Sequence, residues 1–92
     1  MLRFTWDPRK AAGNLRKHGI SFTEAASAFS DPLSITISDP DHSMDEAHFL
    51  LIGQSLRHHL VVVAHVERGD TIRIISARIA SRSERRTYEE GE

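Results

Sequence analysis

Residues 60–80 read LVVVAHVERGDTIRIISARIA. Two β-branched apolar runs flank a short polar link; such runs suit a pleated, half-buried surface, and Gly69 can supply a positive φ in the link. The pattern predicts a β-hairpin at the centre of a sheet. Arg73 and Arg78 interrupt its second strand, where a charged side chain must face solvent, a partner or a ligand because unpaired burial is costly. These arginines are therefore the first candidates for a functional site.

The spacing of the two arginines leaves open whether they act together. Arg73 and Arg78 differ by an odd number of positions, so in an unbroken strand they lie on opposite faces. A bulge near Ser76 would bring both to one face. Arg78, with Arg82, Arg85 and Arg86 after it, suits phosphate binding by planar guanidinium groups. The alternatives are an ion pair for Arg73 and a solvated helix face for the others.

Composition indicates one globular domain, residues 1–92, with 39% hydrophobic and 27% charged residues. The chain has no cysteine, which excludes disulfides and thiolate metal sites. No apolar run approaches the ~20 residues that cross a bilayer. We therefore expect a cytoplasmic protein that does not enter a membrane.

Charge is segregated along the chain although the net charge is only −1. Residues 1–20 carry five Lys/Arg and one acid, residues 21–56 carry six acids and no Lys/Arg, and residues 57–92 carry seven Arg and six acids. The basic segments could form one positive face, as binding of a polyanion requires. Solvated helix faces are the alternative.

The first twenty residues predict an edge strand and a helix. Apolar and polar residues alternate at 3–7, which favours a short strand. Asp7 and Pro8 are typical of an N-cap followed by the first helical residue, and Gly19 is typical of a helix end. We expect Leu15 on the apolar stripe of this helix.

The remaining pattern completes an α+β fold. Residues 21–24, SFTE, form a capping box for a second helix, which Asp31-Pro32 ends. Residues 33–38 predict a strand with one buried face, and residues 47–55 a strand buried on both faces. Residues 81–84, SRSE, form another capping box before a last helix. We therefore predict a small antiparallel β-sheet with two N-terminal helices and one C-terminal helix.

Motifs for metals and cofactors give no positive signal. The sequence has neither a Gly-rich phosphate loop nor an HExxH zinc motif. His58 and His59 are adjacent in a predicted turn, where neighbouring side chains usually point apart. We expect neither a metal site nor a cofactor.

Several separate motifs, in order along nearly the whole chain, resemble the BrnT family of type II toxins. The matching segments are FxWDPxKA (4–11), NxxKHGISFxEA (14–25), FxDP (29–32), DHS with Glu46 (41–46), IGxS (52–55), RIISAR (73–78) and ERxxYE (84–89).

The resemblance implies a RelE-like ribonuclease toxin that cuts RNA without a metal. It also implies a BrnA-type ribbon-helix-helix antitoxin that holds the toxin inactive, and a complex that represses its own operon by binding operator DNA through the antitoxin. The motif positions of the family carry over here as Lys17, His18, His42, Glu46, Arg73, Arg78, Arg85 and Tyr88.

Metal-free RNA cleavage requires a base for the 2′-OH, cations for the phosphorane and an acid for the 5′-oxygen. Arginines at the end of a central strand suit the phosphorane. Proton transfer has four candidates, Glu67, His65, Tyr88 and His42, whose order the sequence does not decide. The catalytic candidates are thus Arg73, Arg78, His42, Glu67 and Tyr88, and the RNA-binding candidates are Lys17, His18, Arg82 and Arg85.

Other roles remain open for some of these residues and for the whole chain. His42 and Glu46 can instead cap and orient the loop before the next strand. Lys17 and His18 end a helix, where positive charge is favourable against the helix dipole. The acidic middle segment favours a different class of protein, a noncatalytic binding module that acts as corepressor with a DNA-binding partner.

Overall fold

The computed structural model describes residues 1–39, 41 and 47–91. It contains five strands and three α-helices within these residues. In chain order they are β1 (Arg3–Thr5), α1 (Pro8–His18), α2 (Phe22–Ser27), β2 (Ile35–Ser38), β3 (His48–Gln54), β4 (Leu60–Arg68), β5 (Thr71–Ile79) and α3 (Arg82–Glu90). A 3-10 turn at Ala28–Ser30 extends α2. None of the helices found in these ranges has the length and apolar character needed to cross a bilayer.

The hairpin lies at the centre of the sheet, as predicted. The strand order is β1-β5-β4-β3-β2, so β4 is the middle strand and β5 lies beside it. Gly69 turns the hairpin with a φ of 60°. The β3, β4 and β5 strands supply most of the buried side chains of the sheet, so the hairpin and β3 form its buried centre.

The predicted antiparallel sheet is wrong in one pairing, because β1 runs parallel to β5. Phe4 lies opposite Ile72 in this ladder, and the N–H of Arg3 donates to the carbonyl oxygen of Asp70 at 2.8 Å. No turn joins these two strands, since α1 starts directly after β1 and β5 lies far along the chain. The direction of β1 is therefore set by tertiary packing, and the sheet is mixed.

One face of the sheet, the inner face, packs against α1 and α2. Phe22 and Ile20 are 1% and 2% exposed and fill the space between the helices and the strands. Burial of each such side chain contributes about 1.5–3 kcal/mol. The strand residues of this core are Leu51, Val61, Val63, Ile72, Ile74 and Ala77.

The buried residue of α1 is Asn14, and the expectation for Leu15 was wrong. Leu15 is 50% exposed, whereas Asn14 is 8% exposed. The Asn14 amide donates to the carbonyl oxygens of Ala77 (2.8 Å) and Ile20 (2.9 Å) and accepts from the Ala77 N–H (3.0 Å). Because β1 pairs only with residues 71–73, this edge of β5 would otherwise leave its backbone groups unsatisfied.

The other face, the outer face, carries α3 over one part of the sheet. Ser81 and Glu84 form the predicted capping box at the start of this helix. Tyr88 packs against a second small core formed by Ile52, Leu60 and Val62. The part of the outer face nearer β1 is left uncovered by α3.

Candidate functional site

A β-bulge places Arg73 and Arg78 on the same face of the sheet. Ala64 pairs with Ser76 and His65 pairs with Ile74, so Ile75 is an extra residue on β5. Arg73 therefore lies opposite Val66, and Arg78 lies opposite Val62. Residues four apart on β4 share a face, so both arginines project from the outer face. Their Cα atoms are about 13 Å apart along the strand.

Two further arginines share the outer face beside Arg73. Arg3 lies opposite Thr71 across the parallel ladder, and Arg68 lies opposite the same residue on the other side. Both are exposed, as is Arg73. None of the strand residues described on this face is acidic, so Arg3, Arg68 and Arg73 make this part of the strands basic, although Asp39, just after β2, lies on the same face.

A small cavity of about 160 Å³ opens on the outer face between Arg73 and Arg78. His48 is half-buried in its wall. This volume is below that of typical small-molecule pockets, so it suits part of a nucleotide rather than an enclosed ligand. The lining residues are Asp39, His48, Ala64, Ile75 and Ser76.

Arg78 is held in place by a bidentate ion pair with Glu84. Nη1 and Nη2 of Arg78 each lie 2.8 Å from one carboxylate oxygen of Glu84. The hydrogen bond from Arg78 and the capping bonds from Ser81 lower the pKa of Glu84 to about 2, although burial opposes the shift. The same bond raises the pKa of Arg78. The guanidinium is thereby oriented and links β5 to α3.

Tyr88 is also engaged by a carboxylate. Its hydroxyl donates to Oδ2 of Asp31 at 2.6 Å, and this bond, with burial, raises the pKa of Tyr88 to about 12. Burial raises the pKa of Asp31, but the bonds from Tyr88 and from the N–H groups of Gln54 and Leu33 outweigh it and lower the pKa. Tyr88 thus fastens the end of α3 to the segment that follows α2.

Glu67 and His65 are not brought together with the strand arginines. Glu67 lies opposite Ile72, and both it and His65 project from the inner face. Nε2 of His65 lies 3.1 Å from the Glu67 carboxylate, and its Nδ1 lies 3.1 Å from the carbonyl oxygen of Val63. The imidazole is fully buried against the rings of Phe29 and Phe49. Both side chains therefore belong to the core side of β4.

The remaining candidates that the structure describes lie on two helices. Arg82 and Arg85 are exposed on α3, beside the outer face. Lys17 is exposed and His18 half-buried in the last turn of α1, on the inner side of the sheet. His42 and Glu46 lie outside the described residues.

A polar cluster that the sequence did not suggest fastens α2 to the turn between β3 and β4. Ser21 caps α2 as predicted, at 3.0 Å from the Glu24 N–H. The Glu24 carboxylate, however, accepts from Ser55 Oγ (2.7 Å) and His59 Nδ1 (2.6 Å). Burial raises the pKa of Glu24, but these bonds and the charges of His59 and Arg57 outweigh it and lower the pKa. The prediction assigned this carboxylate to its own helix because the turn is distant in sequence.

His48, the first residue of β3, was not among the site residues predicted from the sequence. Only its alternation with Leu50 and Ile52 could have indicated which face of the sheet it occupies. His48 shares the outer face with Val66 and therefore with Arg73. In the described ranges, no three His, Asp or Glu side chains converge as a metal site would require.

Comparisons with known proteins point to one family. A family model described as "Ribonuclease toxin, BrnT, of type II toxin-antitoxin system" matches residues 6–84. The fold is similar to the 1.1 Å crystal structure of the Brucella abortus ribonuclease toxin BrnT, with a TM-score of 0.68 and 22% identity, over 89% of this chain and 100% of that chain. At this level of identity the likeness concerns the fold. No curated protein matches the chain.

Proposed function

We propose that this chain, which belongs to the family of BrnT ribonuclease toxins of type II toxin–antitoxin systems, cleaves RNA on the outer face of its sheet without a metal ion. The observation that carries the proposal is the bulge at Ile75, which aligns Arg73 and Arg78 on that face. Planar guanidinium groups bind phosphate oxygens with several donors and stabilise the charge that develops at phosphorus.

Arg73 and Arg78 have different surroundings and therefore different proposed roles. In the described residues Arg73 has no hydrogen-bonding or ion-pairing partner, so its donors are available to the scissile phosphate. Arg78 already uses one N–H of each terminal nitrogen for Glu84, and Nη1 also donates to the carbonyl oxygen of Ile79. Its remaining N–H groups can contact a neighbouring phosphate. Arg82 and Arg85 would extend this contact along α3. Lys17 and His18 lie on the other side of the sheet, so we place them outside the cleavage site.

His48 and His42 are the proposed proton-transfer groups. His48 lines the cavity between the two arginines, where a ribose 2′-OH next to a bound phosphate would lie. An imidazole nitrogen can accept or donate a proton, so it can act as base or acid. His42 follows Asp41 in the chain and remains a proposal from the family motif. We leave Glu67 out of the site because it projects from the inner face and is hydrogen-bonded to His65.

We also propose the partners that the family resemblance implies. These are an antitoxin of the BrnA ribbon-helix-helix type, which neutralises the toxin, and operator DNA, which the complex binds through the antitoxin. On this proposal residues 1–92 act as one RelE-like toxin domain in the cytoplasm.

Purified protein is expected to cleave RNA in excess EDTA, because arginines rather than a bound ion stabilise the transition state. His48→Gln is expected to slow cleavage by about 100-fold, the usual effect of losing a general acid or base. Single-turnover cleavage of a short labelled RNA measures both effects. His58→Asn is the matched control: His58 is exposed with a φ of 67°, a conformation that asparagine tolerates.

Two results would contradict the proposal in different ways. Loss of cleavage in EDTA with recovery on adding Mg²⁺ would show that cleavage depends on a metal. A folded wild-type protein that cleaves no RNA under either condition would favour the alternative hypothesis, a noncatalytic module that acts as corepressor. Wild-type cleavage by His48→Gln would leave the arginines in place but remove His48 from the mechanism.

Tyr88→Phe is expected to lower the free energy of unfolding by about 1–2 kcal/mol, since it removes the bond to Asp31 but keeps the ring. RNA cleavage is expected to change by less than about threefold, because the Tyr88 hydroxyl is engaged by Asp31. Chemical denaturation and single-turnover cleavage measure the two quantities. A large loss of cleavage with unchanged stability would instead return Tyr88 to the catalytic residues.

A further inference from the structure

The edge of β2 that points away from β3 pairs with no strand in the described residues, and its sequence lacks the usual protection against pairing. Its residues, Ile35–Ser38, read ITIS, with no charge and no proline. Ile37 is 45% exposed, and Thr36 and Ser38 are exposed as well. Natural proteins usually protect such edges with lysine, proline or a bulge, because free N–H and C=O groups invite another strand.

The register identifies the backbone groups that are free to pair. The N–H of Asp39 donates to the carbonyl oxygen of His48 at 2.9 Å. Hydrogen-bonded pairs alternate along an antiparallel ladder, so Ile35 and Ile37 also direct their N–H and C=O groups towards β3. Thr36 and Ser38 therefore direct theirs outward, away from the sheet.

At the opposite edge of the same sheet, the strand is shorter and some of the backbone groups are satisfied by a side chain. There β1 is only three residues long and starts with Arg3. Beyond it, the Asn14 side chain occupies the N–H and C=O of Ala77. Beyond β1, a buried side chain thus satisfies the edge of β5 at Ala77, whereas no strand in the described residues pairs with the edge of β2.

The charges around the open edge indicate the partner. Residues 31–41, which contain β2, carry three acids and no Lys/Arg. Asp31 precedes the strand and Asp41 follows it, while Glu89 of α3 lines a cavity with Ser34 and Ile35 beside it. A second copy of this chain would bring two such edges together and is disfavoured by repulsion. A basic strand fits the edge by charge.

We propose that the β2 edge binds an extended segment of the antitoxin that carries lysine or arginine next to β-branched residues, and adds it to the sheet as a sixth strand. Main-chain hydrogen bonds to Thr36 and Ser38 supply the pairing, and the surrounding carboxylates select a basic sequence. The inference rests on the proposed toxin function, since it needs an antitoxin.

Thr36→Pro tests the pairing, because it removes an outward N–H and leaves the β3 ladder intact. Titration calorimetry with the purified cognate antitoxin is expected to show affinity at least about tenfold weaker. RNA cleavage by the variant alone is expected to equal that of wild type. Thr36→Val, which keeps the N–H, is the matched control and should bind normally. Ile37→Lys adds a cation to the edge and should also weaken binding.

Each outcome separates the inference from the proposed function. Wild-type antitoxin affinity in a folded Thr36→Pro, or in Ile37→Lys if the proline variant does not fold, would overturn the inference. A wild-type dimer that Thr36→Pro dissociates while antitoxin affinity stays unchanged would assign the edge to a second copy and also overturn it. Failure of the wild-type protein to cleave RNA would count against the proposed function and is measured separately.

Discussion

Replacing Arg73 by alanine is expected to slow RNA cleavage by about 100-fold or more, the scale of losing one electrostatic donor at a reacting centre. The free energy of unfolding should stay within about 0.5 kcal/mol of wild type, as for most exposed substitutions. Both expectations follow from its position: Arg73 is exposed on the outer face and has no partner in the described part of the chain. Single-turnover cleavage and chemical denaturation measure the two effects.

Arg9→Ala is the matched control for this prediction. Arg9 is also exposed but lies in the first turn of α1, on the inner side of the sheet. Its loss removes the same charge and should leave cleavage within about twofold if the position of the charge matters. Equal losses from both variants would reduce the role of Arg73 to net charge. Wild-type cleavage by Arg73→Ala would remove the outer face as the cleavage site.

Arg78 is a less selective probe of the same site. Its guanidinium pairs with Glu84, which also caps α3. Arg78→Ala would leave this carboxylate with the capping bonds alone, and we expect stability to fall by about 1–2 kcal/mol, since the pair is partly exposed. Slower cleavage by that variant would therefore combine lost phosphate contact with a displaced helix. Comparison with Arg73→Ala separates the effect of the lost phosphate contact from that of the displaced helix.

The hairpin could be predicted because its information is local. The β-branched runs of residues 60–66 and 71–79 and the turn at Gly69 each carry their own signal, and the structure places them at the centre of the sheet. The sequence predicted only that Arg73 and Arg78 would share a face if β5 contained a bulge. A bulge depends on how β5 fits β4, and the extra residue, Ile75, looks like any other strand residue in the sequence.

The parts that could not be predicted depend on contacts between distant segments. The parallel pairing of β1 joins residues at opposite ends of the chain. The apolar stripe predicted for α1 placed Leu15 in the core. Helical periodicity follows apolar residues only, so it could not indicate that the amide of Asn14 is the buried side chain. Glu24 similarly fits a local capping pattern, yet it bonds to Ser55 and His59. In each case a tertiary partner replaces the local one.

Asn14→Ala is expected to lower the free energy of unfolding by about 2–4 kcal/mol. It removes three hydrogen bonds of the buried amide, and each buried polar group left unsatisfied costs about 1–3 kcal/mol. Alanine gains up to about 0.7 kcal/mol of helix propensity, which offsets only part of the loss. Chemical denaturation measures the effect. It is large against the total stability of about 5–15 kcal/mol that is typical of a folded domain.

Gln54→Ala serves as the control, because it truncates an exposed amide side chain on β3 and should change stability by less than about 0.5 kcal/mol. Asn14→Asp is a sharper variant: it keeps an acceptor for the Ala77 N–H but places carboxylate oxygen against the carbonyl groups of Ala77 and Ile20. It should destabilise the fold at least as much as alanine at neutral pH. A loss below about 1 kcal/mol for Asn14→Ala would mean that water can replace the amide. The β5 edge would then be as open to pairing as β2, and the contrast between the two edges would disappear.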